Sequence, residues 1–240
     1  EPKEVGVAGN LKTSLIGTGP FTLENHEQNV RAVFKKNPLY FKKDAAGTQP
    51  PYADEFDWLI IGDSGARLQA DQSRQANLTW ILLPDELDQL KATNANDFDF
   101  MDAPGISDYI YMRLDKPPFN DKRVRQAMSL AIDRKAMIQA LGKGKGDIDL
   151  SVPIFLKDWS TPPDKMGDPG KFYSRDIAMA KQLMSAAGFS GGIKTTMSYT
   201  AQYGAVFVQA LQPVQGYLKE IGIDAQTKQI EYAPYLSTAF

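Results

Sequence analysis

An α/β fold is expected from this sequence on two grounds. Short runs rich in β-branched and aromatic residues alternate along the chain with segments whose apolar residues recur at spacings of three and four. Glycine, proline and capping residues punctuate nearly every change of period. With 240 residues, 42% of them apolar and 23% charged, the chain is large enough to bury a proper core.

The elements follow in order. Gly17-Thr18-Gly19-Pro20 leads into a strand over 21–24. Residues 25–29 turn, and 30–35 return with Val30, Ala32 and Phe34 alternating until Asn37-Pro38 stops the run. The Phe-Asp-Trp-Leu-Ile-Ile run at 56–61 is a further strand. A helix over 64–76 is N-capped by Asp63 or Ser64, and a short strand covers 78–82. Pro84 suits the first turn of a helix reaching about residue 92. Residues 97–101 and 109–114 read as strands on either side of Ala103-Pro104-Gly105.

Asn120 or Asp121 then caps a helix whose stripe is Val124, Ala127, Met128 and Ala131, with Arg123, Arg125 and Gln126 off it. Asp133 caps a second helix, which Gly142 ends as a left-handed residue. A long, proline-punctuated stretch over about 147–172 is expected to be functional or packed across a surface. Ser174 caps the next helix, with Asp176 in its first turn and Ile177, Ala180, Leu183, Met184 and Ala187 as its stripe. A strand over 193–199 and a helix over 204–221 follow. Pro213 inside that helix implies a kink or two abutting helices. A strand over 223–230 and a helix from Pro234 complete the pass.

Composition excludes several functions. A net charge of −2 leaves no cationic excess for phosphates, so nucleic acid is not an expected partner. The absence of cysteine removes thiol catalysis and thiolate metal sites. No apolar run approaches the 18 residues of a spanning helix. His26 is the single histidine and falls in a predicted polar turn, which does not suit a Ser-His-Asp centre. Asp97, Asp99 and Asp102 lack the spacing and turn glycine of a calcium loop, and read as a solvated acidic edge. Gly142-Lys143-Gly144-Lys145-Gly146 lacks the order of a phosphate loop and follows a helix. No catalytic residue, metal or cofactor is expected.

The segment Lys116-Pro117-Pro118-Phe119 with Arg123-Val124-Arg125-Gln126-Ala127 is the most specific stretch of the chain. It resembles the family 5 solute-binding proteins, the extracytoplasmic receptors of ABC importers for oligopeptides, dipeptides, nickel and related solutes. Gly17-Thr18-Gly19-Pro20-Phe21, Asn37-Pro38-Leu39-Tyr40-Phe41, the 178–188 helix and the Leu218–Ile223 run resemble further family elements in the family's order. The resemblance implies a two-lobed, type II periplasmic-binding-protein-like fold, present here in part. Residues 1–108 would be the later part of lobe I and 109–240 an incomplete lobe II, with 109–114 as a hinge crossing. A chain that starts at Glu1 without Met and stops in a short helix reads as a piece of a longer protein.

The same resemblance implies capture of an oligopeptide or peptide-like solute for delivery to ABC permease subunits, by a monomer held outside the cytoplasm, with or without a lipid anchor. A sensor coupled to chemotaxis or signalling is the alternative, and a stand-alone hydrolase a further one. In a binding protein the lobe II site comes from loops facing the cleft. The leading candidate is Tyr199 to Tyr203, which offers the rings of Tyr199 and Tyr203, the hydroxyl of Thr200 and the amide of Gln202; an exposed polar loop is the plain alternative. The helix start after it can attract a ligand carboxylate. Trp159 can stack on a ligand side chain or simply pack. Arg113, aligned where many members have Asn, can pair with an acidic ligand or form a structural ion pair. Arg74-Gln75-Ala76-Asn77 replaces the family's Gly-x-x-Asp turn. Val208 and Gln209 stand where dipeptide binders carry an arginine, so a carboxylate clamp of that type is not expected.

Overall fold

A computed structural model describes residues 17–79, 83–101, 108–148, 150, 152–153 and 156–239. The chain divides into two compact units, Glu1–Asp97 and Phe98–Phe240.

The first unit is built on an antiparallel sheet in the order β1 (Phe21–Glu27), β2 (Arg31–Lys36), β3 (Glu55–Leu59). The predicted first hairpin is present, but β1 runs three residues further than expected. A register shift between Leu23 and Asn25 absorbs the extra residue and lets Asn25, His26 and Glu27 pair with Val33, Ala32 and Arg31. His26 is therefore an exposed strand residue and not part of the turn, which falls at 28–30 with Asn29 at φ 62°. Lys35 bridges the two outer strands, pairing with Glu55 and with Glu24 at 3.5 Å.

Two helices accompany the sheet. The Asp63 side chain accepts the Ala66 N–H at 2.8 Å and caps α1 (Ser64–Gln72). The helix stops four residues short of the expected end, because Arg74 turns left-handed at φ 61° and is held by Asp97 at 2.6 Å. Pro84 opens α2 (Pro84–Asn94), where the Glu86 carboxylate returns to the Leu83 N–H at 2.9 Å. Leu68, Ala70 and Leu90 are buried on these helices. Asp71 is buried too, and accepts the Thr79 hydroxyl. Within the acidic run, Asp97 is engaged by Asn94 and Arg74, which hold its carboxyl below the usual range. Asp102 and most of the expected 78–82 strand lie outside the described residues.

The second unit contains α3 (Lys122–Ala131), α4 (Arg134–Gly142), α5 (Ile177–Ala186), β4 (Ile193–Tyr199), α6 (Ala205–Glu220), β5 (Ile223–Gln229) and α7 (Tyr232–Ala239). Strands β4 and β5 pair in parallel from Ile193↔Ile223 to Tyr199↔Gln229, with α6 as the crossover between them. The core is formed by one face each of α3, α5, α6 and the two strands: Val124, Ala127, Leu130 and Ala131 of α3, Ala180 and Met184 of α5, and Val214 and Leu218 of α6 against Ile193 and Ile223. The predicted α3 stripe is thus the buried one. The residues off the stripe are also structural. Arg123 donates to the Ala186 carbonyl at 2.6 Å, satisfying the end of α5, and Arg125 donates to the Phe119 carbonyl at 2.8 Å.

Several boundaries differ from expectation for local reasons. Asp176, not Ser174, caps α5, because its carboxylate reaches the Met179 N–H at 2.9 Å while its own N–H donates to the Leu130 carbonyl. Lys143, not Gly142, takes the left-handed position after α4, at φ 50°. Pro213 neither breaks nor splits α6. The carbonyl it leaves without a donor belongs to Gln209, an exposed residue that water can reach. Residues 97–101 and 109–114 join no ladder among the described residues, since a strand needs a hydrogen-bonded neighbour and neither segment pairs with one there. The proline-punctuated stretch packs across α3 through short 3-10 turns at Pro163–Lys165 and Asp168–Tyr173. Ser129 Oγ donates to the Phe172 carbonyl at 2.7 Å, and Arg134 lies over the Tyr173 ring.

The α3 cap makes the fold sensitive to acid. Asp121 accepts the Arg123 guanidinium and, at 2.8 Å, the Arg123 backbone N–H; these lower its pKa from 3.8 to about 2. A depressed carboxylate contributes stability that is full above its unfolded value and lost as pH falls through the folded one. Asp121→Asn, which keeps a capping side chain, is expected to reduce the decline in stability between about pH 5 and pH 2. Chemical denaturation across that range measures it, and an unchanged pH profile contradicts the assignment.

Candidate ligand-binding surface

The candidate loop is positioned by the β4–α6 connection. Pairing of β4 with β5 ends at Tyr199, whose carbonyl accepts the Ile230 N–H at 2.8 Å and whose hydroxyl donates to Gln229 Oε1 at 3.2 Å. Tyr199 is therefore half-buried and tied to the neighbouring strand. Thr200 is buried, and its hydroxyl accepts the Gln202 N–H, opening a single 3-10 turn over Ala201–Tyr203. Gly204 then swings the chain into α6 at φ 101°. Its conformation leaves Gln202 exposed, with a side-chain amide that makes no hydrogen bond among the described residues.

Tyr203 is the centre of an aromatic cluster. Its ring lies 5.8 Å from Phe207, 5.8 Å and perpendicular to Tyr232, and 6.1 Å and nearly perpendicular to Tyr235. Desolvation raises its hydroxyl pKa, with further contributions from Tyr232, Tyr235 and Tyr111. The ring remains 43% exposed. Tyr111 belongs to the extended 109–114 segment, where residues alternate sides: Ile110 and Met112 pack on the core, while Tyr109, Tyr111 and Arg113 face outward. Tyr109 and Tyr111 are themselves 6.0 Å apart.

Arg113 is not free. Its Nε and a terminal nitrogen donate to the two Asp115 oxygens at 2.9 and 2.7 Å, a fork-to-fork pair that lowers the Asp115 carboxyl to about 2. Of its two expected roles, the structural ion pair is the one formed. Trp159 ends a turn closed by its N–H to the Leu156 carbonyl, and its side chain is 79% exposed. No hydrogen bond or ring contact joins it to the 199–203 loop among the described residues. The structure thus brings together Tyr203, Phe207, Tyr232 and Tyr235, and leaves Tyr199, Trp159 and Arg113 with other partners or apart. Tyr109, Tyr111, Tyr232 and Tyr235 are not among the expected site residues, although period-two tyrosines at 109 and 111 and a helical pair at 232 and 235 stand in the sequence. Among the described residues no group of acidic, histidine or cysteine side chains could hold a metal ion, and no helix is long and apolar enough to cross a membrane.

Comparison with known proteins gives this geometry its context. The chain is 25% identical over 242 residues to the dipeptide-binding protein of Escherichia coli strain K12, covering 98% of this chain and 42% of that one. It is 27% identical over 219 residues to a glutathione-binding protein of Salmonella choleraesuis, covering 88% of this chain and 38% of that one. The chain therefore spans about two fifths of the length of these relatives. Its fold matches the agropinic-acid complex of a periplasmic binding protein from A. tumefaciens R10 with a TM-score of 0.73 at 21% identity, over 98% of this chain and 45% of that one. Type II periplasmic binding proteins thus share its fold. The profile of the bacterial extracellular solute-binding proteins, family 5, middle part, matches residues 2–239. The chain belongs to that family.

Proposed function

We propose that this chain is part of the ligand-capturing component of an ABC importer and that its solute is a peptide. The observation that carries the reading is the family match along residues 2–239, joined by relatives named for dipeptide and glutathione binding. Residues 1–108 serve as the later part of lobe I and 109–240 as part of lobe II, with 109–114 as a crossing between them. Solute held by both lobes favours the closed form, which docks on permease subunits outside the cytoplasm. The protein acts as a monomer, uses no cofactor and catalyses no covalent step.

Within the second unit, the 199–203 loop contributes the ligand contacts, with Gln202 and Tyr203 in the leading roles. The Gln202 amide offers both a donor and an acceptor, as a peptide bond requires. Trp159 and Tyr199 border the site in this reading, and Arg113 keeps the hinge segment in place through Asp115.

The test is native mass spectrometry of the full-length protein as purified, followed by calorimetry with di-, tri- and longer peptides. A bound peptide mass and micromolar or tighter peptide affinity are the expected results. A co-purified chelate or sugar acid, with no peptide binding, overturns the reading.

A further inference from the structure

The outward tyrosines of the second unit stand in two close ring pairs. Tyr109 and Tyr111 are 6.0 Å apart, and Tyr203 stands against Tyr232 at 5.8 Å. All four rings are exposed, from 41% at Tyr232 to 73% at Tyr111. Single exposed aromatics are ordinary, but exposed rings paired in this way mark a contact surface. Tyrosine suits such a surface because it presents a large rigid face at little cost in side-chain entropy.

Charge decides which solute fits. The cation beside the rings, Arg113, is fully engaged by both oxygens of Asp115, so the pair adds no net charge. The residues flanking the rings along the chain, Asp108 and Glu231, are acidic; Glu231 is exposed, while partial burial of the Asp108 carboxyl raises its pKa. A carboxylate would therefore find Arg113 already paired and Glu231 close along the chain, with only the partial positive charge at the start of α6 to attract it. An apolar ring meets partners already set in tilted and T-shaped geometry, with Tyr109 and Tyr111 at 48° and Tyr203 and Tyr232 at 90°. A further ring extends that arrangement in its preferred geometry. The exposed Gln202 amide beside Tyr203 can hold the adjoining peptide bond.

We propose that this tyrosine surface is a specificity subsite for an aromatic side chain of a bound peptide, and that it selects against acidic side chains. The inference rests on the peptide reading above. Calorimetry on the full-length protein with Ala-Phe-Ala, Ala-Ala-Ala and Ala-Glu-Ala tests both. Ala-Phe-Ala is expected to bind about tenfold more tightly than Ala-Glu-Ala. Tyr111→Ala and, separately, Tyr232→Ala are expected to weaken Ala-Phe-Ala about fivefold while changing Ala-Ala-Ala less than about twofold. Tyr111 is the more exposed of the two and its truncation leaves the core untouched, so loss of fold does not confuse the result. Peptide binding without a preference for phenylalanine, or a preference that survives both substitutions, overturns the subsite and leaves the peptide reading standing. Failure of all three peptides to bind overturns both.

Discussion

Leu218→Ala is expected to cost about 3 kcal/mol of stability in the second unit. Leu218 is 2% exposed and sits in the core cluster with Val214 of the same helix, Val124 and Ala127 of α3, and Ile193 and Ile223 of the sheet. Truncation loses the transfer energy of the side chain and leaves a cavity among elements that cannot all collapse into it. Backbone ties limit that collapse: α6 is joined to β5 by Gln215 donating to the Ala225 carbonyl at 2.7 Å, and α5 to α3 by the Asp176 N–H on the Leu130 carbonyl at 2.9 Å. Native-state hydrogen exchange measures the loss, since about 3 kcal/mol lowers the protection of β4 and β5 amides about a hundredfold. Protection that falls less than about fivefold means that the site repacks and the core is not as interlocked as described.

Gly192→Ala has the second large effect, expected at about 2–4 kcal/mol. Gly192 stands at φ 87°, and a Cβ there would lie 2.6 Å from the Gly222 carbonyl oxygen. That oxygen also accepts the Ile193 N–H at 2.9 Å, the bond that starts the β4–β5 ladder. Alanine therefore carries a left-handed backbone cost and pushes on the atom that sets the strand register. Gly191→Ala is the control: its Cβ meets nothing within 4 Å and its φ is not positive. It is expected to stay within about 0.5 kcal/mol of the parent in the same exchange measurement. Equal effects at the two positions contradict this account.

The helices of the second unit were legible because their signals are local. A carboxylate two or three residues before a free N–H, followed by an apolar stripe, specifies both start and face; Asp121 with Val124, Ala127 and Ala131 is such a case. Strand β4 was equally legible because its alternation is uninterrupted over Ile193–Tyr199. Local choice between near-equal options was not. Ser174 and Asp176 both suit a cap, and the choice was made by the Leu130 carbonyl, which receives the Asp176 N–H from 46 positions away in the sequence. The bulge in β1 was not legible at all, since it answers to the register of β2. The expected strand at 109–114 has the right alternation and lacks only a partner, which no single segment can announce.

The site divided along the same line. The α/β elements and the polar loop at 199–203 could be read from residue order alone, because capping, periodicity and turn chemistry act over a few residues; the family was read from the resemblance of its motifs. So could the absence of thiol chemistry and thiolate metal binding. Which of those side chains stand together was settled by packing. Folding spent Arg113 on Asp115 and tied Tyr199 to Gln229. It set Tyr203 among rings drawn from residues 207, 232 and 235. The physical reason is range: hydrogen-bond and ring contacts depend on distances of a few ångströms, and for residues as far apart in the chain as Tyr203 and Tyr235 only the packing of the unit sets those distances.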